Sequence, residues 1–161
     1  MPCAEQRWTP RRQGDAGELS AMQWLTWAEA LVCKPLFECP DYDLVADWGD
    51  HMERVQVKTS TCWRNGRYEV TLATRGGNQS WSGLVKRLDL SRCDALFVHT
   101  GSGRRWYIPM SAVDGSSGIR LGGPKYAAYE VDAGSALQRR PTPPDPPATA
   151  VATLNSPPPA G

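Results

Sequence analysis

A chain of 161 residues with 40% hydrophobic residues is long enough for one domain with a buried core. Its formal net charge of +1 excludes a strong overall attraction to nucleic acid, so any affinity for DNA has to come from local clusters of basic side chains. The five cysteines form no CxxC pair and no zinc spacing, which indicates reduced thiols in a cytoplasmic protein. We see no apolar signal segment and no run long enough to span a membrane, and therefore expect no membrane partner.

The chain begins with a polar stretch, residues 1–13, which we expect to be a solvated tail or, alternatively, a basic arm on a phosphate backbone. The first predicted element is a helix from Gly14 to about Val32, because apolar residues recur there at helical spacing. Asp15 is a candidate N-cap, and Glu18 three residues later fits a capping box. In that role the Glu18 carboxylate would turn back onto its own helix.

Two strands that form a hairpin are predicted next, after a short extended segment over residues 33–40. The first strand, residues 42–47, alternates apolar with polar or small residues, and the second, residues 54–60, is rich in valine. Residues 48–51 between them include glycine and aspartate, which favour a turn.

The side chains of this hairpin bring three chemically useful groups together. Residues two apart on a strand share a face, so Gln56 and Lys58 point one way while Val55 and Val57 point the other. If Asp43 lies on the side of Gln56 and Lys58, then a carboxylate, an amide and an ammonium meet. Oxygen ligands of this kind suit Mg²⁺, and a partly buried lysine can orient or deprotonate a water. The pattern suits phosphodiester hydrolysis; the alternative is a surface hairpin without a chemical role.

A second hairpin is predicted over residues 62–72, because Asn65-Gly66 is the strongest signal for a two-residue turn. Arg64 and Arg67 flank that turn and are either a solvated tip or phosphate contacts. A polar, glycine-rich loop follows, and its side chains are further candidates for DNA contacts, with the two amides able to read adenine edges. These candidates are Arg75, Asn78, Gln79, Lys86 and Arg87.

The last part of the predicted domain starts with a buried strand, residues 93–99, that is apolar after Asp94. The next strand opens with Arg104 and Arg105 before Trp and Tyr, which is the best basic-plus-aromatic cluster of the chain; the alternative is a hairpin with exposed arginines. Short elements close a domain that we place at residues 14–132. Residues 133–161 are rich in proline and predict a disordered tail.

The order of these features resembles the PD-(D/E)XK nuclease superfamily, and the QxK form resembles most the endonucleases associated with group I introns. The features are Gly17-Glu18, Tyr42-Asp43-Leu44-Val45, Val55-Gln56-Val57-Lys58-Thr59, Asp94 before an apolar strand, and Tyr107-Ile108-Pro109. The resemblance implies an α/β, restriction-endonuclease-like core, in which a mixed central sheet carries the N-terminal helix packed on it. It gives Asp94 a structural role.

The resemblance also implies a metal-dependent endonuclease acting on double-stranded DNA. Asp43 would bind Mg²⁺, for which Mn²⁺ can substitute, together with the Gln56 side-chain oxygen and the Val57 carbonyl. Glu18 would complete the site directly or through water, which is the alternative to its capping role. Lys58 would position and activate the attacking water, leaving 5′-phosphate and 3′-hydroxyl ends. Gln56 stands where an acidic residue gives the superfamily its name, and this predicts weaker metal binding.

The partners expected from the resemblance are double-stranded DNA and further copies of the chain. Two strands must be cut, so we expect a homo-oligomer, either a dimer or a tetramer. Two other functions stay open. One is a Holliday-junction resolvase or repair nuclease, which reads DNA shape, and the other is a catalytically inactive DNA- or protein-binding module on the same fold.

Overall fold

The computed structural model describes residues 9–37, 39, 41–75, 85–86, 88–115 and 117–132. Residues 1–8 and the proline-rich stretch 133–161 lie outside the described residues. The same holds for three candidate DNA contacts, Asn78, Gln79 and Arg87, and for the side chains of Arg75 and Lys86. Within the described part, no helix has the length and apolar character that crossing a membrane requires.

The single α-helix of the described residues, α1, spans Pro10–Trp27 and begins earlier than predicted. Its N-cap is Thr9, whose hydroxyl accepts a hydrogen bond from the Arg12 N–H at 3.3 Å, with proline at the first helical position. The prediction of Asp15 as the N-cap was therefore wrong. Glu18 lies well inside the helix and does not form a capping box.

The C-terminal end of α1 also differs from the prediction, because the helix stops at Trp27 and not at Val32. The Ala30 N–H donates to the Leu25 carbonyl at 3.0 Å, and Glu29 takes a left-handed conformation with φ of 70°. This is a Schellman termination, in which glycine is the usual left-handed residue. A glutamate at that position gives no sequence signal for the end of a helix.

Eleven strands are described. In chain order they are β1 (Leu31–Cys33), β2 (Leu44–Asp47), β3 (Met52–Ser60), β4 (Trp63–Arg64), β5 (Arg67–Thr71), β6 (Thr74–Arg75), β7 (Val85–Lys86), β8 (Ala95–Thr100), β9 (Arg105–Pro109), β10 (Gly118–Leu121) and β11 (Glu130–Asp132). Six of them form the main sheet in the order β1-β2-β3-β8-β9-β11. The pair β3 and β8 is parallel and the other neighbours are antiparallel, so the sheet is mixed as predicted.

A second sheet, in the order β10-β5-β4, packs on one face of the main sheet, and β6 pairs with β7. The β4–β5 hairpin turns at Asn65 and Gly66, with φ of 50° and 74°. Both residues have positive φ, as the predicted Asn-Gly turn requires. Two 3₁₀ helices are described, Met110–Ala112 before β10 and Pro124–Tyr129 before β11.

The main sheet separates two hydrophobic cores. On one face, α1 packs on β2, β3 and β8 through Ala21, Leu25, Leu44, Val55, Val57 and Phe97. On the other face, the second sheet packs on β8 and β9 through Val70, Leu72, Leu96, Val98, Trp106, Ile119 and Leu121. Because side chains alternate along a strand, Gln56 and Lys58 of β3 lie on the face that carries the second sheet.

Gly17 sets how closely α1 approaches β3. A Cβ atom at this position would overlap the Thr59 hydroxyl and lie 3.4 Å from Val57 Cγ1. The glycine therefore allows the helix to lie directly on the strand, and Glu18 is the next residue along the helix.

Candidate active site

The candidate site forms where β3 extends past the start of β2. Asp43, immediately before β2, donates its backbone N–H to the Val55 carbonyl at 2.9 Å. The backbone N–H and C=O groups of residues two apart on a strand point to the same side, so those of Val57 point to the same side as those of Val55. They lie beyond Leu44, the first residue of β2 that pairs with β3. The Asp43 carboxylate occupies this place, and its Oδ2 accepts the Val57 N–H at 2.7 Å.

Gln56 is the second polar group of the site, and it is only 7% exposed. Its amide nitrogen donates to Asp43 Oδ2 at 2.5 Å and makes a longer contact of 3.4 Å with the Val57 carbonyl. Two N–H groups therefore meet one carboxylate oxygen. The amide nitrogen faces Asp43 because nitrogen is the donor; turning the amide over would present its oxygen to the same place.

Asp43 and Lys58 interact electrostatically across the site. Burial raises the pKa of Asp43 and is the largest cause of that shift, while the Val57 hydrogen bond and the charge of Lys58 oppose it. Burial likewise lowers the pKa of Lys58, and the Asp43 carboxylate opposes that change. The sequence left open whether Asp43 lies on the same side as Gln56 and Lys58. The hydrogen bond from Gln56 places it on that side.

Glu18 approaches this group from α1, together with a residue that the sequence analysis did not identify. The Lys34 ammonium, one residue past β1, donates to Glu18 Oε2. The charge of Glu18 contributes to the raised pKa of Asp43, and that of Lys34 acts in the opposite direction. Lys34 belongs to no motif; it enters the site because β1 pairs with β2, with Cys33 opposite Val45.

The donor set of the site suits a hard cation. Two carboxylates, a carboxamide oxygen and a backbone carbonyl are the oxygen ligands that Mg²⁺ and Ca²⁺ prefer, whereas zinc favours nitrogen and sulfur. Within the described residues, no group of three or more His, Cys, Asp and Glu side chains could hold a metal ion. A cation at Asp43 would therefore take part of its ligand set from neutral oxygens.

Basic side chains around the second sheet offer a surface for phosphates. Arg64 and Arg67, both predicted contacts, flank the exposed β4–β5 turn, and the Arg64 side chain is 70% exposed. Arg67 also lines a cleft of about 470 Å³ together with Arg120 and Lys125. Arg120 was not identified from the sequence, because only the pairing of β10 with β5 brings it beside this hairpin.

Arg105 is a correction to the predicted DNA contacts. It is 8% exposed, and its guanidinium donates to the Gln23 side-chain oxygen at 3.1 Å and to the Ser20 carbonyl at 3.4 Å. It therefore connects β9 to α1 inside the protein. Arg104 is also engaged within the fold, through a two-point ion pair with Glu130 at 2.7 and 2.8 Å.

Asp94 makes contacts of the structural kind that the family resemblance implies. Its Oδ2 accepts the Arg54 backbone N–H at 2.7 Å and the Arg54 Nε–H at 2.9 Å, and its Oδ1 accepts from Nη2 at 3.0 Å. The Asp94 N–H donates to the Arg54 carbonyl at 2.8 Å. These bonds join the parallel strands β3 and β8 at one end, and so hold the strand that carries Gln56 and Lys58.

Comparison with known proteins agrees with this fold. A family model described as PD-(D/E)XK endonuclease matches residues 8–125. The solved structure of a bacterial homing endonuclease, I-Ssp6803I, is similar with a TM-score of 0.57 and 23% sequence identity, covering 76% of this chain and 86% of that chain. No curated protein sequence matches significantly. At 23% sequence identity, this structural similarity supports the fold alone.

Proposed function

The chain belongs to the PD-(D/E)XK endonuclease family, and from this premise we propose that it hydrolyses phosphodiester bonds in double-stranded DNA in a metal-dependent reaction. One observation carries the proposal: Asp43, Gln56 and Lys58 converge where β3 extends past β2, with a carboxylate and an ammonium coupled across the site. Perturbed ionisable groups of opposite charge in one small site are typical of catalytic centres.

The residues that would hold the cation are Asp43, Glu18, Val57 through its carbonyl, and Gln56 through its side-chain oxygen. We propose Mg²⁺ as the natural ion, with Mn²⁺ as a substitute. When bound, the ion stabilises charge on the scissile phosphate and acidifies a water molecule. Gln56 would offer its oxygen after turning its amide, since the nitrogen now faces Asp43. Glu18 would offer its carboxylate after leaving Lys34.

Lys58 is the proposed group that handles the attacking water. Burial lowers its pKa, so the amine loses its proton more readily than an exposed lysine does. In the ammonium form it orients the water and the phosphate oxygens, and in the amine form it removes a proton from the water. The water oxygen attacks phosphorus and the bond to the 3′ oxygen breaks. The 3′ oxygen takes up a proton from solvent, so that the products carry 5′-phosphate and 3′-hydroxyl ends.

We further propose that DNA reaches the site along the β4–β5 hairpin, where Arg64, Arg67 and Arg120 face solvent. Cutting both strands requires two active sites, which supports a dimer or a tetramer. The described cysteines, Cys33, Cys39, Cys62 and Cys93, are free thiols, which supports a cytoplasmic location.

The proposal is tested with purified full-length protein and supercoiled plasmid, in Mg²⁺, in Mn²⁺ and in EDTA. We expect nicking or linearisation with either metal and none in EDTA. A folded protein that leaves both plasmid and linear duplex intact under both metals would contradict the proposed activity. A four-way junction is assayed in parallel, and cleavage of the junction alone would instead identify a structure-selective resolvase.

A further inference from the structure

The Lys34–Glu18 ion pair joins two elements at the edge of the candidate site. Lys34 follows β1, the edge strand of the main sheet, and Glu18 belongs to α1. The lysine side chain is 58% exposed and the glutamate side chain 26% exposed. The ammonium is therefore open to solvent on one side while it contacts the carboxylate on the other.

This pair belongs electrostatically to the site. Glu18 and Lys34 both act on Asp43, in opposite directions. Of the two carboxylates available to a cation, Glu18 is thus already neutralised by a residue of the protein. A carboxylate oxygen that accepts a hydrogen bond from an ammonium does not offer the same lone pair to a metal ion, and two cations next to one carboxylate repel each other.

We propose that Lys34 is a positioning residue that holds Glu18 as an internal counter-ion, competes with the divalent cation for its carboxylate, and, once displaced, binds a phosphate of the DNA backbone. The inference rests on the proposed function and deepens it. Cation and DNA then favour each other: the cation releases the Lys34 ammonium for the phosphate, and the phosphate stabilises the displaced lysine. Binding of either one raises the affinity for the other by the same factor.

A purely structural ion pair makes a different prediction. If the pair only ties α1 to the segment after β1, its loss changes the melting temperature slightly and leaves cation affinity unchanged, because exposed ion pairs contribute little to stability. Cation affinity measured without DNA therefore separates the two roles.

The experiment measures Mn²⁺ binding to DNA-free full-length protein by electron paramagnetic resonance of the free ion. Three proteins are compared: wild type, Lys34→Met and Lys125→Met. Lys125 is the matched control, because it forms a similar exposed pair with Asp114 and its side chain is 54% exposed. We expect Lys34→Met to bind Mn²⁺ about three- to fivefold more tightly than wild type, as for the loss of one exposed competing pair. The control should match wild type.

A second arm measures coupling with DNA, using Ca²⁺ and a short duplex by fluorescence anisotropy. The increase in DNA affinity caused by the cation should be smaller in Lys34→Met, and Lys34→Arg should recover part of it because the charge is kept. Equal Mn²⁺ affinity in Lys34→Met and wild type, or no Mn²⁺ binding by either, overturns the inference. Metal-dependent plasmid cleavage by wild type is measured in parallel, so that failure of this inference can be told from failure of the proposed function. If wild type cleaves plasmid while Lys34→Met and wild type bind Mn²⁺ with equal affinity, only the role of Lys34 is refuted.

Discussion

Asp43 and Lys58 show how single residues of the site affect stability. The pKa of Asp43 is raised, so the folded protein binds this proton more readily than the unfolded chain, and stability falls as pH rises from the ordinary value of 3.8 through the raised one. The pKa of Lys58 is lowered, so stability rises with pH from the lowered value up to 10.5. At neutral pH both charged forms therefore carry a burial cost.

Removing both charges should stabilise the protein while abolishing its activity. Asp43 and Lys58 are both partly buried and act on each other electrostatically. Replacing a fully buried ion pair by neutral groups of similar volume is often neutral or stabilising, by about 1–4 kcal/mol, and a smaller gain of the same sign is expected here. We expect Asp43→Asn/Lys58→Met to melt higher than wild type at neutral pH, by about 2–4 °C for each kcal/mol regained. Asp43→Asn alone should melt lower than the double variant, since it removes the carboxylate charge that favours the charged form of Lys58. A double variant that melts below wild type would contradict the burial cost.

The same pKa directions predict how cleavage depends on pH. Cleavage needs ionised Asp43 and, for proton removal, neutral Lys58, so the single-turnover rate at saturating metal should increase with pH and level off below the ordinary lysine value of 10.5. At low pH, the cleavage rate should fall off around a pH above 3.8, because the pKa of Asp43 is raised and its carboxylate is protonated there. A rate independent of pH across the neutral range would exclude Lys58 from proton transfer.

Local signals explain which residues of the site could be predicted. Gln56 and Lys58 lie two apart on one strand, so alternation places them on the same side. Asp43 precedes the neighbouring strand across a short turn, and its contact with Gln56 puts it on that side. Lys34 and Arg120 enter through strand pairing between distant parts of the chain, which no local pattern shows. Arg105 was misassigned because a basic residue next to aromatics looks the same in sequence whether it faces DNA or the inside of the fold.

At the scale of elements, the sheet could be predicted more fully than the ends of the helix. The Asn65-Gly66 turn and the buried strand β8 have short-range signals that the structure follows. The helix begins at Pro10 after the N-cap Thr9, inside the stretch predicted to be a tail. It ends at Trp27, and Glu29 takes the left-handed conformation that glycine usually adopts after a helix. The start is thus set by a local cap, whereas at the other end Leu25 in the last turn and Ala30 beyond the helix are buried in the same core.

Two glycines of α1 give a matched test of helix packing. Gly17→Ala places a methyl group against Thr59 and should lower stability by about 1–3 kcal/mol. It should also reduce cleavage by shifting Glu18. A Cβ atom at Gly14 would meet no other atom within 4 Å, so Gly14→Ala should raise stability by about 0.5–1 kcal/mol. Urea denaturation of both variants checks this, and equal effects of the two would contradict the close approach of α1 to β3.

The helix end offers another test at this scale. Glu29 has φ of 70°, a conformation that costs non-glycine residues about 1 kcal/mol or more. Glu29→Gly should therefore raise the melting temperature, whereas Glu29→Ala should not. The comparison relies on thermal denaturation followed by circular dichroism. A loss of stability in Glu29→Gly would show that the glutamate side chain matters more than its backbone conformation.

For the whole molecule, a net charge of +1 means that DNA binding depends on where the charges lie. If Arg64 and Arg67 each contact one phosphate, then the slope of log affinity against log salt should decrease by about 0.9 for each residue removed. Anisotropy titrations of Arg64→Ala, Arg67→Ala and the double variant over a salt series measure this. An unchanged slope in the double variant would place the DNA elsewhere on the surface.

The central claim is that the group formed by Asp43, Gln56 and Lys58 is the hydrolytic site. The most direct test is the single-turnover rate of DNA cleavage in Mg²⁺ by wild type and Lys58→Met, with duplex binding in Ca²⁺ measured on the same preparations. We predict a rate reduced by about 10²–10⁴-fold with duplex affinity close to that of wild type. Cleavage by folded Lys58→Met at the wild-type rate would show that the chemistry takes place at another site.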